Sequence, residues 1–151
     1  MRRILLSLAV AGALLAGGAA FAATADQEAA FVNTYKTAFE AKDAATLEAF
    51  LFTDGAIPAA VEFYKMAMTA DFGQKITTIE LQALDADDIQ KVGMEMPGPD
   101  GSMARLAPKP YKKLVIVIET KDDNGSMKST NTIFIAEKDG KLGVPLPVPA
   151  N

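Results

Sequence analysis

The chain of 151 residues contains no cysteine, no histidine and no tryptophan. Without histidine and cysteine it cannot build Ser-His-Asp or Cys-His catalytic machinery, a thiolate nucleophile, a disulfide framework, or an ordinary zinc, haem or iron–sulfur site. Basic residues are also in the minority, since 15 Lys and Arg stand against 19 Asp and Glu and the formal net charge is −4. An acidic chain without a basic run is not expected to bind nucleic acid. The composition therefore predicts no cofactor, no metal site and no nucleic-acid partner.

The N-terminus has the layout of a secretory signal peptide. A short basic start at residues 1–3 precedes a mostly apolar stretch of 12 residues and a run of small residues that ends in Ala20-Phe21-Ala22. Twelve apolar residues are fewer than the roughly 20 that a membrane-spanning helix needs. We therefore expect cleavage between Ala22 and Ala25. Residues 1–22 would be removed on export, and residues 23–151 would form one periplasmic or secreted domain with no membrane span.

Helical spacing dominates the first half of the predicted mature chain. Thr24 with Gln27 resembles a capping box, Asp43 is a good N-cap for a short second helix, and Pro58 suits the first turn of a third. The apolar residues of the first helix recur at i, i+4, i+7 and i+8: Phe31, Tyr35, Ala38 and Phe39. Those of the third continue at helical spacing: Ile57, Val61, Tyr64, Met68 and Phe72.

After Gly73 the apolar period changes from 3.6 to 2, which predicts a half-buried strand over residues 77–83. A short acidic helical turn follows at residues 85–88, and glycines and prolines predict a loop or irregular hairpin over residues 93–111. Three further strands are predicted, with tight turns at Asn124-Gly125 and Asp139-Gly140 between them. Helices followed by strands indicate an α+β fold.

The last predicted strand alternates aliphatic residues with Pro145, Pro147 and Pro149. Residues of one parity in a strand present both N–H and C=O to the same neighbour, so the prolines remove donors from one side only. This pattern predicts an edge strand whose free side is protected against aggregation. The alternative is a polyproline II ligand for an aromatic groove.

Residues 31–55 carry a specific resemblance. They read Phe31-Val32-Asn33-Thr34-Tyr35, then Phe39-Glu40-Ala41-Lys42-Asp43-Ala44-Ala45-Thr46-Leu47, then Phe50 and Asp54-Gly55. This segment resembles the opening of the nuclear transport factor 2-like superfamily, which includes ketosteroid isomerases and scytalone dehydratase. The resemblance implies N-terminal helices packed on a curved antiparallel sheet, a cystatin-like cone that is open at one end to a pocket.

The resemblance carries over little catalytic chemistry. Tyr35 falls where the isomerases place the tyrosine that donates to the developing oxyanion. Their general base is an aspartate shortly after the second helix, but residues 56–60 of this chain contain no carboxylate. The histidines of the dehydratase type are absent as well. The sequence therefore predicts no catalytic residues.

A pocket is predicted from the inward stripes of the first and third helices. Tyr35 and Phe39 on the first helix should converge with Tyr64 and Met68 on the third over the concave side of the sheet. Such a mostly apolar pocket suits a small hydrophobic or amphipathic ligand. The alternative is that these side chains fill the cone completely. We therefore predict an exported, non-catalytic binding or interaction module.

Two other functions remain open, together with a homodimer. One is an isomerase- or dehydratase-like enzyme that uses an atypical carboxylate such as Glu80 or Glu119. The other is a Cu(I) carrier that uses methionines such as those at residues 94–103, because thioethers are soft ligands. A homodimer would cover the second apolar face of the strand at Val115 and Val117.

Overall fold

The computed structural model describes residues 23–98, 101–122 and 125–150, so the predicted signal peptide at residues 1–22 and the turn residue Asn124 lie outside it. Within these ranges the chain forms four α-helices and seven β-strands. Their bounds are α1 Ala25–Glu40, α2 Ala44–Glu48, β1 Leu51–Phe52, α3 Pro58–Thr69, β2 Ile76–Ala83, α4 Ala86–Gly93, β3 Met96–Pro97, β4 Met103–Ala107, β5 Lys112–Asp122, β6 Gly125–Lys138 and β7 Lys141–Pro149. None of the described helices is both long and apolar enough to cross a membrane.

The strands form one sheet in the order β2-β5-β6-β7-β4-β3, and the short β1 pairs with β7. Every pairing along this path is antiparallel, whereas β1 runs parallel to β7. The sheet curls strongly into a half-barrel. The predicted α+β class, with N-terminal helices packed on a curved antiparallel sheet, is confirmed.

Helix α1 packs its apolar stripe against the concave face of the sheet. The four predicted stripe residues are all buried: Phe31, Tyr35, Ala38 and Phe39. They share one core cluster with Leu114, Ile116 and Ile118 of β5, which are buried almost completely. Because side chains alternate along a strand, Val115 and Val117 lie on the convex face. Each large aliphatic side chain buried in this way contributes about 1.5–3 kcal/mol to folding.

Local signals set the helix starts where the sequence predicts them. Thr24 and Gln27 form a complete capping box at the start of α1, and the side chain of Asp43 accepts from the backbone N–H of Thr46 at the start of α2. Pro58 occupies the first turn of α3. Helix α3 ends at Thr69, four residues before Gly73, so Phe72 and Gly73 lie beyond the helix, and the φ of +76° at Gly73 is a left-handed conformation that glycine adopts without strain.

Helix α4 is held to the sheet by a lysine of β5. Asp85 and Asp88 cap the helix reciprocally, and Lys113 Nζ donates to Asp85 Oδ2 at 2.8 Å and to Asp88 Oδ2 at 2.5 Å. Two of the strands, β3 and β4, form a hairpin inside the segment for which the sequence predicts a loop or irregular hairpin.

Strand β7 lies inside the sheet, so the prediction of an edge strand is wrong. Its first residues pair with β6, Val144 pairs with Leu51 of β1, and Leu146 to Pro149 pair with β4. The backbone N–H of Val144 donates to the Phe50 carbonyl, and that of Ala150 donates to the Met103 carbonyl, both at 2.8 Å. The backbone N–H and C=O groups of the even-numbered residues of β7 therefore point towards β1 and β4. The same pairing shows that residues 141–149 are a strand rather than a polyproline II segment.

The three prolines lie on the opposite side of β7, the side that faces β6. The β6–β7 ladder begins at a two-residue turn and ends at the pair Ala136–Gly143. Continuing its register would set Pro145, Pro147 and Pro149 opposite three donor positions of β6. Proline has no N–H, so at each of these pairs the bond that β7 would donate to β6 cannot form. The two strands diverge instead, and the Pro147 carbonyl accepts from the Ile57 N–H at the start of α3, at 2.9 Å.

Candidate functional site

An open cavity of about 540 Å³ lies beside the divergence of β6 and β7. Its walls come from α1, α3, the strands β5 and β6, and the proline-rich half of β7. The volume falls within the range of about 300–1,000 Å³ that small-molecule sites occupy. All four residues predicted to line a pocket border it together: Tyr35, Phe39, Tyr64 and Met68. The structure therefore groups these residues around one cavity, and their role in ligand binding stays a prediction.

Helix α1 supplies the inner aromatic wall. Tyr35 and Phe39 lie one turn apart, and their rings stack with centroids 6.4 Å apart and planes 15° from parallel. Phe39 also makes an edge-on contact with Phe72, with ring centroids 5.8 Å apart. Such ring contacts add about 0.5–1.5 kcal/mol beyond area burial. They hold both α1 rings in place whether or not the cavity is occupied.

Helix α3 supplies the opposite wall and the rim. Met68 is buried and Tyr64 is partly buried, whereas Phe63 borders the same cavity with 59% of its surface exposed. The Phe63 and Tyr64 rings meet edge-on, with centroids 5.9 Å apart. Sequence reasoning missed Phe63, because the apolar stripe of α3 runs through Val61, Tyr64 and Met68 and leaves Phe63 outside it.

The Tyr35 hydroxyl is an unused hydrogen-bond donor. The residue is only 1% exposed, yet its hydroxyl makes no hydrogen bond to any described part of the chain. Among the described residues, no fully enclosed side-chain polar atom lacks a partner, so the hydroxyl oxygen of this cavity-lining residue is not completely enclosed. Burial raises the pKa of the Tyr35 phenol well above its usual value, which keeps it protonated at neutral pH. A phenol can donate or accept a hydrogen bond, so it can bond to a polar group of a molecule in the cavity.

Asp71 is the one charged residue among the described side chains that border the cavity. It follows α3 and is partly buried. Asn131 Nδ2 of β6 donates to Asp71 Oδ2 at 3.4 Å, a long hydrogen bond. Sequence reasoning missed Asp71 as well. The available signal was its spacing of three residues after Met68 and seven after Tyr64, which continues the inward stripe of the helix beyond the last turn.

The carboxylates proposed for an enzyme lie away from the cavity. Glu80 and Glu119 occupy convex-face positions of β2 and β5 and are absent from the cavity wall. Glu80 accepts from Gln82, whereas Glu119 accepts from Ser126, and the Ser126 bond lowers the Glu119 pKa. The structure brings neither carboxylate to Tyr35.

Two of the methionines considered for Cu(I) do not share a face of the described structure. Met96 pairs with Ala104 and Met103 pairs with Pro97 in the β3–β4 hairpin, so these two methionines point to opposite faces of the hairpin. No cluster of three or more acidic groups that could hold a metal ion occurs among residues 23–98, 101–122 and 125–150.

Comparison of the chain with family models, with curated proteins and with solved structures gives no match.

Proposed function

We propose that this protein is an exported, non-catalytic binding module that takes up a small hydrophobic or amphipathic molecule. The observation that carries the proposal is the cavity itself. Its walls are largely aromatic and aliphatic, and they include Tyr35, whose hydroxyl has no partner in the described residues. Apolar walls with a few placed polar groups are typical of small-molecule sites, because apolar burial supplies affinity and the polar groups fix orientation.

We also propose membership of the nuclear transport factor 2-like superfamily. The support is the resemblance of residues 31–55 together with the order of elements, three helices with one short strand among them before a strongly curled antiparallel sheet. The position of Tyr35 on the first helix and at the cavity agrees with the proposal.

An isomerase- or dehydratase-like activity is the second candidate. The observation in its favour is that Asp71 and Tyr35 border one cavity, which supplies a carboxylate and a phenol for acid–base chemistry. Turnover of a bound ketone or alcohol that disappears in both Asp71→Asn and Tyr35→Phe would favour the enzyme over the binding module.

Cavity-filling variants test the binding function. We would purify the chain from its native host and weigh co-purifying molecules by native mass spectrometry. Ala67 borders the cavity, whereas Ala59 is exposed on the same helix and does not border it. Wild type and Ala59→Trp should carry the same bound mass, and Ala67→Trp should lose it. An adduct that is unchanged in Ala67→Trp would contradict binding at this cavity.

Export is tested by the mass of the mature chain. The extracytoplasmic fraction should contain a chain that begins after Ala22, or after Ala25. A chain that keeps residues 1–22 and stays in the cytoplasm would end this part of the proposal.

A homodimer through the convex face is the remaining part of the proposal. Val115 and Val117 lie there and are partly exposed. Val115 pairs with Glu80 of β2 and Thr132 of β6, and Val117 pairs with Thr78 and Thr130 of the same strands. Sedimentation at micromolar concentration should show twice the monomer mass, and a monomer would remove the dimer.

A further inference from the structure

The cavity combines a single acid with several aromatic rings. Asp71 borders it, and in the described part of the chain no lysine or arginine forms an ion pair with this carboxylate. Its protein partner is the Asn131 amide at 3.4 Å. By contrast, Asp85 and Asp88 both pair with Lys113, and Glu28 pairs with Lys112. Asp71 thus keeps acceptor capacity for a molecule in the cavity.

The rings around the cavity favour the same charge. Tyr35 and Phe39 of α1 and Phe63 and Tyr64 of α3 all border it. Aromatic faces carry partial negative charge and attract ammonium groups, and the attraction grows as water is excluded. A carboxylate and aromatic rings around one cavity therefore act together on a cation. The same arrangement repels an anion.

We propose that the cavity selects an apolar molecule with one positively charged end, an alkyl or arylalkyl ammonium compound whose cationic end lies beside Asp71. This inference rests on the proposed binding function and names the class of ligand that it takes. The apolar body occupies the space among Ile116, Ile118 and Met68, and the ammonium group donates to the Asp71 carboxylate. Fatty acids of equal length are excluded, because their carboxylate would lie near a second one without a compensating cation.

Three probes of equal chain length test the ligand class: octylamine, octan-1-ol and octanoate. Binding is measured by calorimetry at neutral pH, and the binding site is located by chemical-shift changes of the Ile116 and Ile118 methyl groups. The expected order for the wild type is octylamine first, octan-1-ol about tenfold weaker and octanoate weakest, since a charge-assisted hydrogen bond is worth about 1.5–3 kcal/mol and 1.4 kcal/mol is tenfold.

Two variants assign the preference to Asp71. In Asp71→Asn the octylamine advantage over octan-1-ol should disappear, while octan-1-ol binds as to the wild type. Asp71→Lys should reverse the order in favour of octanoate. Asp87→Asn is the matched control, because Asp87 is exposed on α4 and does not border the cavity. It should keep the wild-type order.

The outcomes separate this inference from the proposed function. Equal binding of octylamine and octan-1-ol to the wild type, with methyl shifts at the cavity, would overturn the cationic class and leave the binding function standing. An octylamine preference that survives in Asp71→Asn would also overturn it. Failure of all three probes to shift the Ile116 and Ile118 methyls would contradict both.

Discussion

Tyr35 is buried and Tyr111 is partly buried, and only the Tyr111 hydroxyl forms a hydrogen bond within the described part of the chain. The Tyr35 hydroxyl has no partner among the described residues, whereas the Tyr111 hydroxyl donates to Glu28 Oε1 at 3.2 Å. Burial raises the pKa of Tyr35, and burial followed by the Glu28 charge raises that of Tyr111, so both stay protonated. A matched pair of variants can therefore measure whether each hydroxyl contributes to the stability of the fold.

Tyr35→Phe should leave the free energy of unfolding within about 0.5 kcal/mol of wild type, because no protein hydrogen bond is lost. Tyr111→Phe should lower it by about 1 kcal/mol, because Glu28 loses a donor. Urea unfolding checks both values, and ligand affinity should fall in Tyr35→Phe alone. A loss of 1 kcal/mol or more in Tyr35→Phe would mean that its hydroxyl serves the fold.

The contact of Lys113 with Asp85 and Asp88 predicts a pH dependence. Hydrogen bonding from Lys113 is the largest cause that lowers the pKa of Asp85, to about 2, and the backbone N–H of Asp88 adds to it. Since this folded-state pKa lies below the unfolded value of about 3.9, the stabilisation is complete above about pH 4 and is lost as the pH falls towards 2.

The Lys113→Gln variant should therefore differ most from wild type in its urea midpoint at pH 5 to 7, and the difference should shrink towards pH 2. Lys141→Gln is the control, since Lys141 is exposed and forms no ion pair among the described residues. Its midpoint difference should not vary over this range. A Lys113→Gln difference that is constant from pH 7 to pH 2 would contradict the ion pair.

At the scale of elements, Gly143 is the point where β7 changes partners. It pairs with Ala136 of β6, and the next residue pairs with Leu51 of β1. A Cβ placed on Gly143 would lie 2.4 Å from the Phe50 carbonyl oxygen and 2.9 Å from the Phe52 ring. A backbone oxygen cannot move aside as a flexible side chain can, so only glycine lets β1 approach β7 this closely.

Gly143→Ala should consequently destabilise the protein by about 1–3 kcal/mol, as overpacking does. Gly93→Ala is the matched control, because Gly93 ends α4 and a Cβ there meets nothing within 4 Å. It should be neutral or stabilise by up to about 1 kcal/mol, since glycine costs more entropy in a helix than alanine. Thermal unfolding of the two variants checks the contrast, and equal effects would contradict the close approach.

At the scale of the whole molecule, the opening of the sheet depends on hydrogen bonds that cannot form. β5 pairs with one side of β6 from Gly125 to Ile135, but β7 pairs with the other side only from Ala136 to Lys138. From Ala136 back towards the start of β6, the backbone N–H and C=O groups of the even-numbered residues point towards the cavity side, where β7 carries prolines. The sheet therefore stays open beside the cavity, although the two strands are joined by a tight turn.

Hydrogen exchange should reveal this opening as an alternation along β6. The amides of Thr130, Thr132 and Phe134 point away from β5 and should exchange quickly, whereas those of Asn131 and Ile133 point towards β5 and should be protected. Residue-by-residue exchange measured by NMR tests the pattern. Uniform protection over residues 130–134 would mean that another segment pairs with this edge.

The helices and most of the strands were predictable because their signals are local. Capping at Thr24 and Asp43, the buried stripe of α1 and the alternation of residues 77–83 depend on neighbours within a few residues of the chain. The four predicted cavity residues were predictable for the same reason, because helical periodicity defines an inward face. The sequence did not predict Phe63 and Asp71, because Phe63 lies beside the apolar stripe of α3 and Asp71 follows the end of the helix.

The sequence by itself determined which side of β7 lacks donors, since Pro145, Pro147 and Pro149 share one parity. What lies on that side was decided only by the tertiary structure. A missing N–H is equally compatible with solvent at a sheet edge and with a gap inside a sheet, and the choice depends on the distant partners β1, β4 and α3. Strand partners, the open cavity and the place of Asp71 follow from those long-range contacts, which no local pattern encodes.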